Sequence, residues 1–301
     1  MDLLKRARSL LNVLKQLPRR LDLKRRWYRF SRSPLSIVGL IIVVVSIAIA
    51  LFAPFIAPDP KSAGTYVNLP DRLKPPSWSN IFGTDDLGRD ILSRTLFGFQ
   101  YSLLMAAVVL ALVAPPGIVL GLVAGYYRGK WPDTVIMRIA DIFIAVPPLV
   151  LALAVASVLT PSAFNAMMAV SLMWWPWYTR LTYNTSSALR NEYFVQAAEV
   201  MGASPSHIMF SEILPNCLGP LLTKLTLDVG WVILLGSALS FVGLGAQDPT
   251  ADLGTMVSKG AVYLPTYWWL TIFPALAIVF IILGFNLLGD GVRDMFAEES
   301  R

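Results

Sequence analysis

Long apolar runs alternate with short polar stretches between residues 34 and 290, and the runs set the architecture. Most reach about 18 residues or more, the length a helix needs to cross a bilayer. The pattern predicts six crossings, at about 35–56, 101–126, 134–159, 164–183, 218–244 and 270–288. Proline pairs interrupt two of them, Pro115-Pro116 in the second and Pro147-Pro148 in the third, and the missing N–H groups predict kinks there. Gly236, Ser240 and Gly243 give the fifth run a small-residue face suited to close helix packing. The fold class is all-α and polytopic.

The polar stretch Asn191–Asn216, NEYFVQAAEVMGASPSHIMFSEILPN, separates the fourth run from the fifth and predicts two short helices. Phe194, Ala197, Ala198 and Met201 recur at i, i+3, i+4 and i+7, an amphipathic pattern with a small, close-packing face. Gly202 is placed to take the left-handed stop, Ser204 to cap the second helix and Pro205 to occupy its first position. Pro215 predicts the next boundary, and Tyr193, Phe194 and Val195 are expected to point outward as apolar knobs. A rigid bent element of this kind in water is a docking surface.

Charge decides which side is which. Eleven Lys and Arg residues precede residue 34 against only Asp2 and Asp22, so the positive-inside rule places the N-terminus in the cytoplasm. Leucines at roughly helical spacing in 3–23 predict either an interfacial amphipathic helix or a solvated basic tail. No cleavable signal peptide is expected, because the first apolar run begins too late and is too long. The mixed-charge loop 59–94 then lies outside, the basic turn Tyr127-Arg128-Gly129-Lys130-Trp131 inside, and the C-terminal tail with Asp290, Arg293 and Asp294 inside. In the outer loop, FGTDDLGRDILSR (Phe82–Arg94) predicts a short surface helix capped by Thr84 or Asp85. Trp174, Trp175, Trp177 and Tyr178 beside Arg180 predict an aromatic belt at the cytoplasmic interface. Tyr267, Trp268 and Trp269 do the same at the outer edge of the sixth run.

Ionisable residues within the runs need a reason, since a charge at mid-bilayer costs roughly 2.5–3.5 kcal/mol on insertion scales. Arg138 and Asp141 stand at i and i+3, as an ion pair or as part of an intersubunit or gate contact. Lys224 and Asp228 stand at i and i+4, as a pair facing another helix or as lining of a translocation path beside Trp231. Asp228 lies about 15–20 Å past Pro215 along a helix, near the bilayer middle.

Several chemistries are excluded. One cysteine, Cys217, allows no intrachain disulfide, and one histidine, His207, allows no multi-histidine metal site. The chain has no GxxxxGK[ST] phosphate loop, no GxSxG elbow and no zinc motif. The net charge of +6 is concentrated before the first run, which points to lipid and not to nucleic acid. A secondary transporter, the more distant alternative, would be expected to show a repeat of its two halves, and none is evident. An intramembrane enzyme would need a paired nucleophile and base, which Asp228 alone does not supply. A non-enzymatic conduit remains.

Ala197, Ala198, Gly202 and Pro215, with Ile213-Leu214, resemble the Glu-Ala-Ala loop of ATP-binding-cassette (ABC) importer permeases. Gln196 stands where that family usually has Glu, with Glu199 one turn away. FGTDDLGRDILSR, ALSFVGLGAQDPT (Ala238–Thr250) and NLLGDGVRDMF (Asn286–Phe296) resemble signatures of the dipeptide, oligopeptide and nickel branch, in particular its second, C-type membrane subunit. The resemblance covers about residues 82–294 and implies a type I importer transmembrane domain with a cytoplasmic coupling helix. It implies these divisions: a basic segment 1–33, a first transmembrane helix 34–57, an extracytoplasmic loop 58–97, a permease core 98–290 carrying the loop 191–216, and a tail 291–301. It also implies partners: a homologous permease subunit forming a heterodimer, two cytoplasmic ATP-binding subunits that hold ATP and Mg, and an extracytoplasmic substrate-binding protein. No cofactor is expected in this chain. The implied coupling residues are Tyr193, Phe194, Gln196, Ala197, Ala198, Glu199, Gly202, Ala203 and Pro215. The implied cargo is di- or oligopeptides, with oligosaccharides and nickel chelates as alternatives in the same branch. Relatives often hold an acid where this chain has Gly236, which lowers the expectation of a carboxylate for cationic cargo.

Overall fold

The computed structural model describes residues 26–296, and among them it is helical with one isolated bridge, Thr84 to Asp90, in place of any strand. The expectation for 3–23 falls outside the described residues. A helical stretch at 26–32 leads into α1, Pro34–Ile56, which has proline in its first turn and ends on extended Ala57. Its buried positions Ser36, Gly39, Val43, Ser46, Ala50 and Ala53 alternate by three and four residues. That seam lies on the last helix, α9 (Trp269–Phe296), closely enough that a Cβ on Gly39 would sit 2.5 Å from the Leu288 nitrogen.

The second helix, α2, runs from Ile91 to Tyr126 without interruption, 36 residues and about 54 Å at 1.5 Å per residue. It therefore begins ten residues before the predicted start at 101, and Pro115 and Pro116 lie inside it. Asp90 caps it, accepting from the Ser93 N–H at 2.7 Å.

The surface helix predicted for Phe82–Arg94 does not form. Gly83 and Gly88 hold positive φ, and the Asp85 carboxylate takes the N–H groups of Leu87 and Arg89 at 2.9 and 2.8 Å, so the segment folds as tight turns. Its arginines turn inward. Arg89 Nε meets Asp85 at 2.6 Å and Nη1 meets Asp248 at 3.4 Å, while Arg94 donates to the Ser62 carbonyl at 2.9 Å. The signature is a buried polar knot that ties the loop before α2 to the loop around Asp248 and Pro249. Nearby, Asp252 caps α8 (Leu253–Ala261) through the Thr255 N–H at 2.9 Å; burial pushes its carboxyl above the usual range, against the pull of the Thr255 bonds.

The third predicted crossing is two helices, α3 (Trp131–Ala145) and α4 (Pro148–Val158), meeting at 88° where Pro147 and Pro148 end the helical backbone. Next, α5 runs from Ala163 to Leu189, α6 from Tyr193 to Val200 and α7 from Pro205 to Phe241. Among the described residues α1, α2, α7 and α9 are each long and apolar enough to cross a membrane, and α3 with α4 makes a fifth crossing if the bent pair is one span. At 27 residues, α5 spans about 40 Å, but Arg180 and its Asn, Thr and Ser side chains leave it less apolar than the others. The predicted count of six is therefore met by α5 in length only.

The densest seam joins α2 to α5. Gly117, Gly121 and Gly125 repeat every four residues on α2, and a Cβ on Gly121 would lie 2.3 Å from the Thr179 carbonyl oxygen. The small face predicted for the fifth run is only partly present. Gly236 packs on Met105 and Ser240 is buried, but Gly243 lies past the end of α7, in open space.

Candidate functional site

Two features built on α5, α6 and α7 bring together most of the singled-out residues. The first is the bend between α5 and α7. Its short helix α6 is closed by a Schellman turn: the Ala203 N–H reaches the Ala198 carbonyl at 3.0 Å, and the Gly202 N–H reaches the Glu199 carbonyl at 2.9 Å. Gly202 sits at φ +81, the conformation this turn demands. Ser204 caps the next helix, accepting from the His207 N–H at 3.3 Å with Pro205 at the first position, as predicted.

Pro215 does not end a helix. A π-helical turn at Ile208–Ile213 precedes it, and the wider hydrogen-bond pattern accommodates the missing N–H in the first turn of the apolar part of α7. The second arm of the bend is therefore one continuous helix of 37 residues, from Pro205 in the loop to Phe241 at the far end. Ile208, Met209 and Ile213 bury its near end in the core.

The face of α6 differs from the predicted one. Val195, expected as an outward knob, is 0% exposed, and with Ala198 it anchors α6 to the bundle. Ala197 and Met201, expected on the packing face, are exposed, and so is Phe194, which the sequence placed both on that face and among the outward knobs. An eight-residue helix carrying apolar residues all round has no unique periodic face, and the bundle selected the 195/198 side. Outward, Tyr193, Val200 and Met201 are 86%, 90% and 80% exposed, with Phe194 beside them. Gln196 donates to the Asn191 carbonyl at 3.0 Å, and Ala203 is half-buried. Glu199 turns back to its own bundle: it pairs with Arg190 and lies 3.4 Å from the Tyr126 hydroxyl, and the Arg190 guanidinium stands 4.8 Å from the Tyr126 ring.

The second feature is an open cleft of about 540 Å³ between α5, α7 and α9, lined in part by Thr223, Lys224, Asp228, Trp231, Arg293 and Phe296. Lys224 Nζ lies 3.0 Å from both oxygens of Asp228. Asp228, 3% exposed in its side chain, also accepts from the Trp174 indole N–H at 2.8 Å. The Trp174 and Tyr178 rings flank the ammonium at 5.8 and 5.3 Å. Trp174 and Tyr178 are thus buried parts of this cluster and do not form the interfacial belt predicted for them, while Trp177 beside them is exposed. Their spacing of four residues on one helix was the available signal.

Arg138 and Asp141 do not pair with each other. Asp141 pairs with Arg180 of α5, and Arg138 is exposed with no ion pair among the described residues. Both stand apart from the cleft. No group of three His, Cys, Asp or Glu side chains suited to a metal ion occurs among the described residues.

Both features lie within a stretch of the chain that resembles known proteins. Residues 117–300 match the model of the family described as binding-protein-dependent transport system inner membrane component, and residues 23–76 match the N-terminal transmembrane domain of oligopeptide transport permease C. The chain is 42% identical over 263 residues to the probable D,D-dipeptide transport system permease protein DdpC of Escherichia coli K12, covering 87% of each. It is 39% identical over 275 residues to the dipeptide transport system permease protein DppC of Haemophilus influenzae, covering 89% of this chain and 92% of that one. It is also 39% identical over 280 residues to the di/tripeptide transport system permease protein DppC of Pseudomonas aeruginosa UCBPP-PA14, covering 90% of each. Among solved structures, an inward-facing form of the MetNI methionine ABC transporter superposes with a TM-score of 0.57 at 18% identity, over 69% of this chain and 98% of that one, a likeness of fold.

Proposed function

The chain belongs to the family of binding-protein-dependent transport system inner membrane components, and on that premise we propose that it is the permease subunit of an ABC importer for di- and oligopeptides. It forms half of the translocation path, and a homologous membrane subunit forms the other half. Two cytoplasmic subunits bind ATP and Mg and supply the energy, and an extracytoplasmic binding protein delivers the peptide. Both termini lie in the cytoplasm, in keeping with the basic residues before Pro34. The peptide cargo rests on the names of the relatives, each of which is a peptide or dipeptide permease.

The observation that carries the mechanism is the continuity of α7. Its first turns lie in the bend, and the same helix runs on through Lys224, Asp228 and Trp231. The exposed apolar tip formed by Tyr193, Phe194, Val200 and Met201 seats on an ATPase subunit, while Val195 and Ala198 hold α6 to the bundle. Gln196, Ala197, Gly202, Ala203 and Pro215 shape that element, and Glu199 fixes its angle through Arg190. When the ATPases approach each other, the bend moves and carries α7 with it, so the cleft side of α7 changes its opening. In this scheme Lys224, Asp228 and Trp231 border the path; Arg138 and Asp141 lie on the outside of the bundle, on the α3 side.

The test is peptide uptake by the assembled importer in proteoliposomes. Uptake of a labelled dipeptide that requires ATP and the binding protein is expected. Uptake driven by an ion gradient without ATP, or ATP-driven uptake of an oligosaccharide with no uptake of peptides, would overturn the assignment.

A further inference from the structure

A second cleft, of about 510 Å³, opens between the C-terminal end of α2 and the first turns of α3. Its walls are Val123, Val135 and Ile136, and its mouth is formed by Tyr127, Lys130 and Trp131. Along α3 the cleft runs about 7.5 Å from Trp131 to Ile136, so it follows the apolar outer flank of the bundle, where Val135 is 48% exposed. The volume lies within the range of roughly 300–1,000 Å³ usual for small-ligand clefts.

The charge beside the mouth is net positive, Arg128 and Lys130 against Asp133. Arg128 and Lys130 are exposed, and neither has a carboxylate partner among the described residues. The Lys130 ammonium lies 5.6 Å from the Tyr127 ring. Asp133 holds the turn by accepting the Gly129 N–H at 2.8 Å and offsets one of the two positive charges. Trp131, 77% exposed, stands beside these cations with its ring free. An apolar slot, a Tyr and Trp pair at its rim and two unpaired cations on the basic side of a membrane protein together match one chemistry: an acyl chain joined to an anionic headgroup.

We propose that this cleft binds an anionic phospholipid of the cytoplasmic leaflet, with one acyl chain against Val123, Val135 and Ile136 and the phosphate between Arg128 and Lys130. A zwitterionic lipid would place its own cation against these two. A soluble phosphate would leave the apolar slot unfilled. The inference rests on membrane placement and not on the identity of the cargo.

The test uses the complete importer, purified and placed in nanodiscs of phosphatidylcholine doped with a photoactivatable phosphatidylglycerol, with labelled peptides located by mass spectrometry. Labelling concentrated on residues 123–136 is expected, insensitive to excess glycerol phosphate. Arg128→Gln with Lys130→Gln is expected to lower it roughly thirtyfold, since each cation near the headgroup contributes independently. Equal labelling by a photoactivatable phosphatidylcholine, or unchanged labelling in the double variant, would overturn the proposal. So would finding the partner membrane subunit at this position when a crosslinking amino acid replaces Val135. ATPase activity of the double variant, measured in parallel, shows that the complex has assembled, so loss of labelling is read as loss of the site.

Discussion

The indole N–H of Trp174 on α5 donates to Asp228 Oδ2 on α7 at 2.8 Å, inside the bundle and 54 residues away in sequence. These two helices are the arms of the bend, so they are joined twice: by the chain through α6, and midway along their length by this bond. Lys224 neutralises the same carboxylate from one turn away. A hairpin closed at both places moves as a unit, which is what a lever driven from its tip requires.

Removing one member of this cluster should cost more than removing the pair. Asp228→Ala leaves Lys224 without its counter-ion among aromatic rings and is expected to destabilise by about 3–5 kcal/mol. Trp174→Phe removes one hydrogen bond and leaves a cavity beside Asp228, and is expected to cost about 1–3 kcal/mol. The double change Lys224→Met with Asp228→Leu should recover most of the loss. Unfolding of the detergent-purified complex followed by thermal shift reads all three.

Two apolar positions of α6 should respond oppositely to the same substitution. Val200→Asp lies in solvent and is expected to leave insertion intact while peptide uptake falls. Val195→Asp buries a carboxylate at a site with no exposure and is expected to detach α6, with loss of assembled complex. Immunoblotting of membranes together with uptake assays separates the two outcomes.

At Gly202 the backbone and not the space is limiting, since a Cβ there would meet nothing within 4 Å. Gly202→Ala is expected to cost about 1–2 kcal/mol from the left-handed conformation, and Gly202→Asn much less. Gly202→Asp and Ala197→Asp add charge to the element proposed to dock an ATPase and are expected to uncouple ATP hydrolysis from uptake with normal insertion. Hydrolysis and uptake measured on the same proteoliposomes check this.

Gly121 is limited by space. A side chain there would press on the Thr179 backbone at 2.3 Å, so Gly121→Val is expected to separate α2 from α5 and cost at least about 1–3 kcal/mol. A lower unfolding midpoint of the purified complex reads it.

Much of this was legible locally. Apolar length located α1, α7 and α9, and Gly202, Ser204 and Pro205 announced their turn because capping depends on near neighbours. Several of the failures share one cause, that the deciding partner is remote in sequence. Arg89 and Arg94 bond to residues of two other loops, Asp141 pairs with Arg180, and Trp174 leaves the interface to meet Asp228. Pro215 misleads for a local reason, because a π turn absorbs a residue that normally marks a boundary.

Whether the bend is gripped by an ATPase is tested most directly by a cysteine at Val200, the most exposed apolar position of α6. In the assembled importer, with Cys217 replaced by Ala, a short thiol crosslinker should join Val200→Cys to an ATP-binding subunit, and cycling through ATP hydrolysis should change the yield. Crosslinking only to the extracytoplasmic binding protein, or to no other subunit in an importer that still takes up peptide, would contradict the lever.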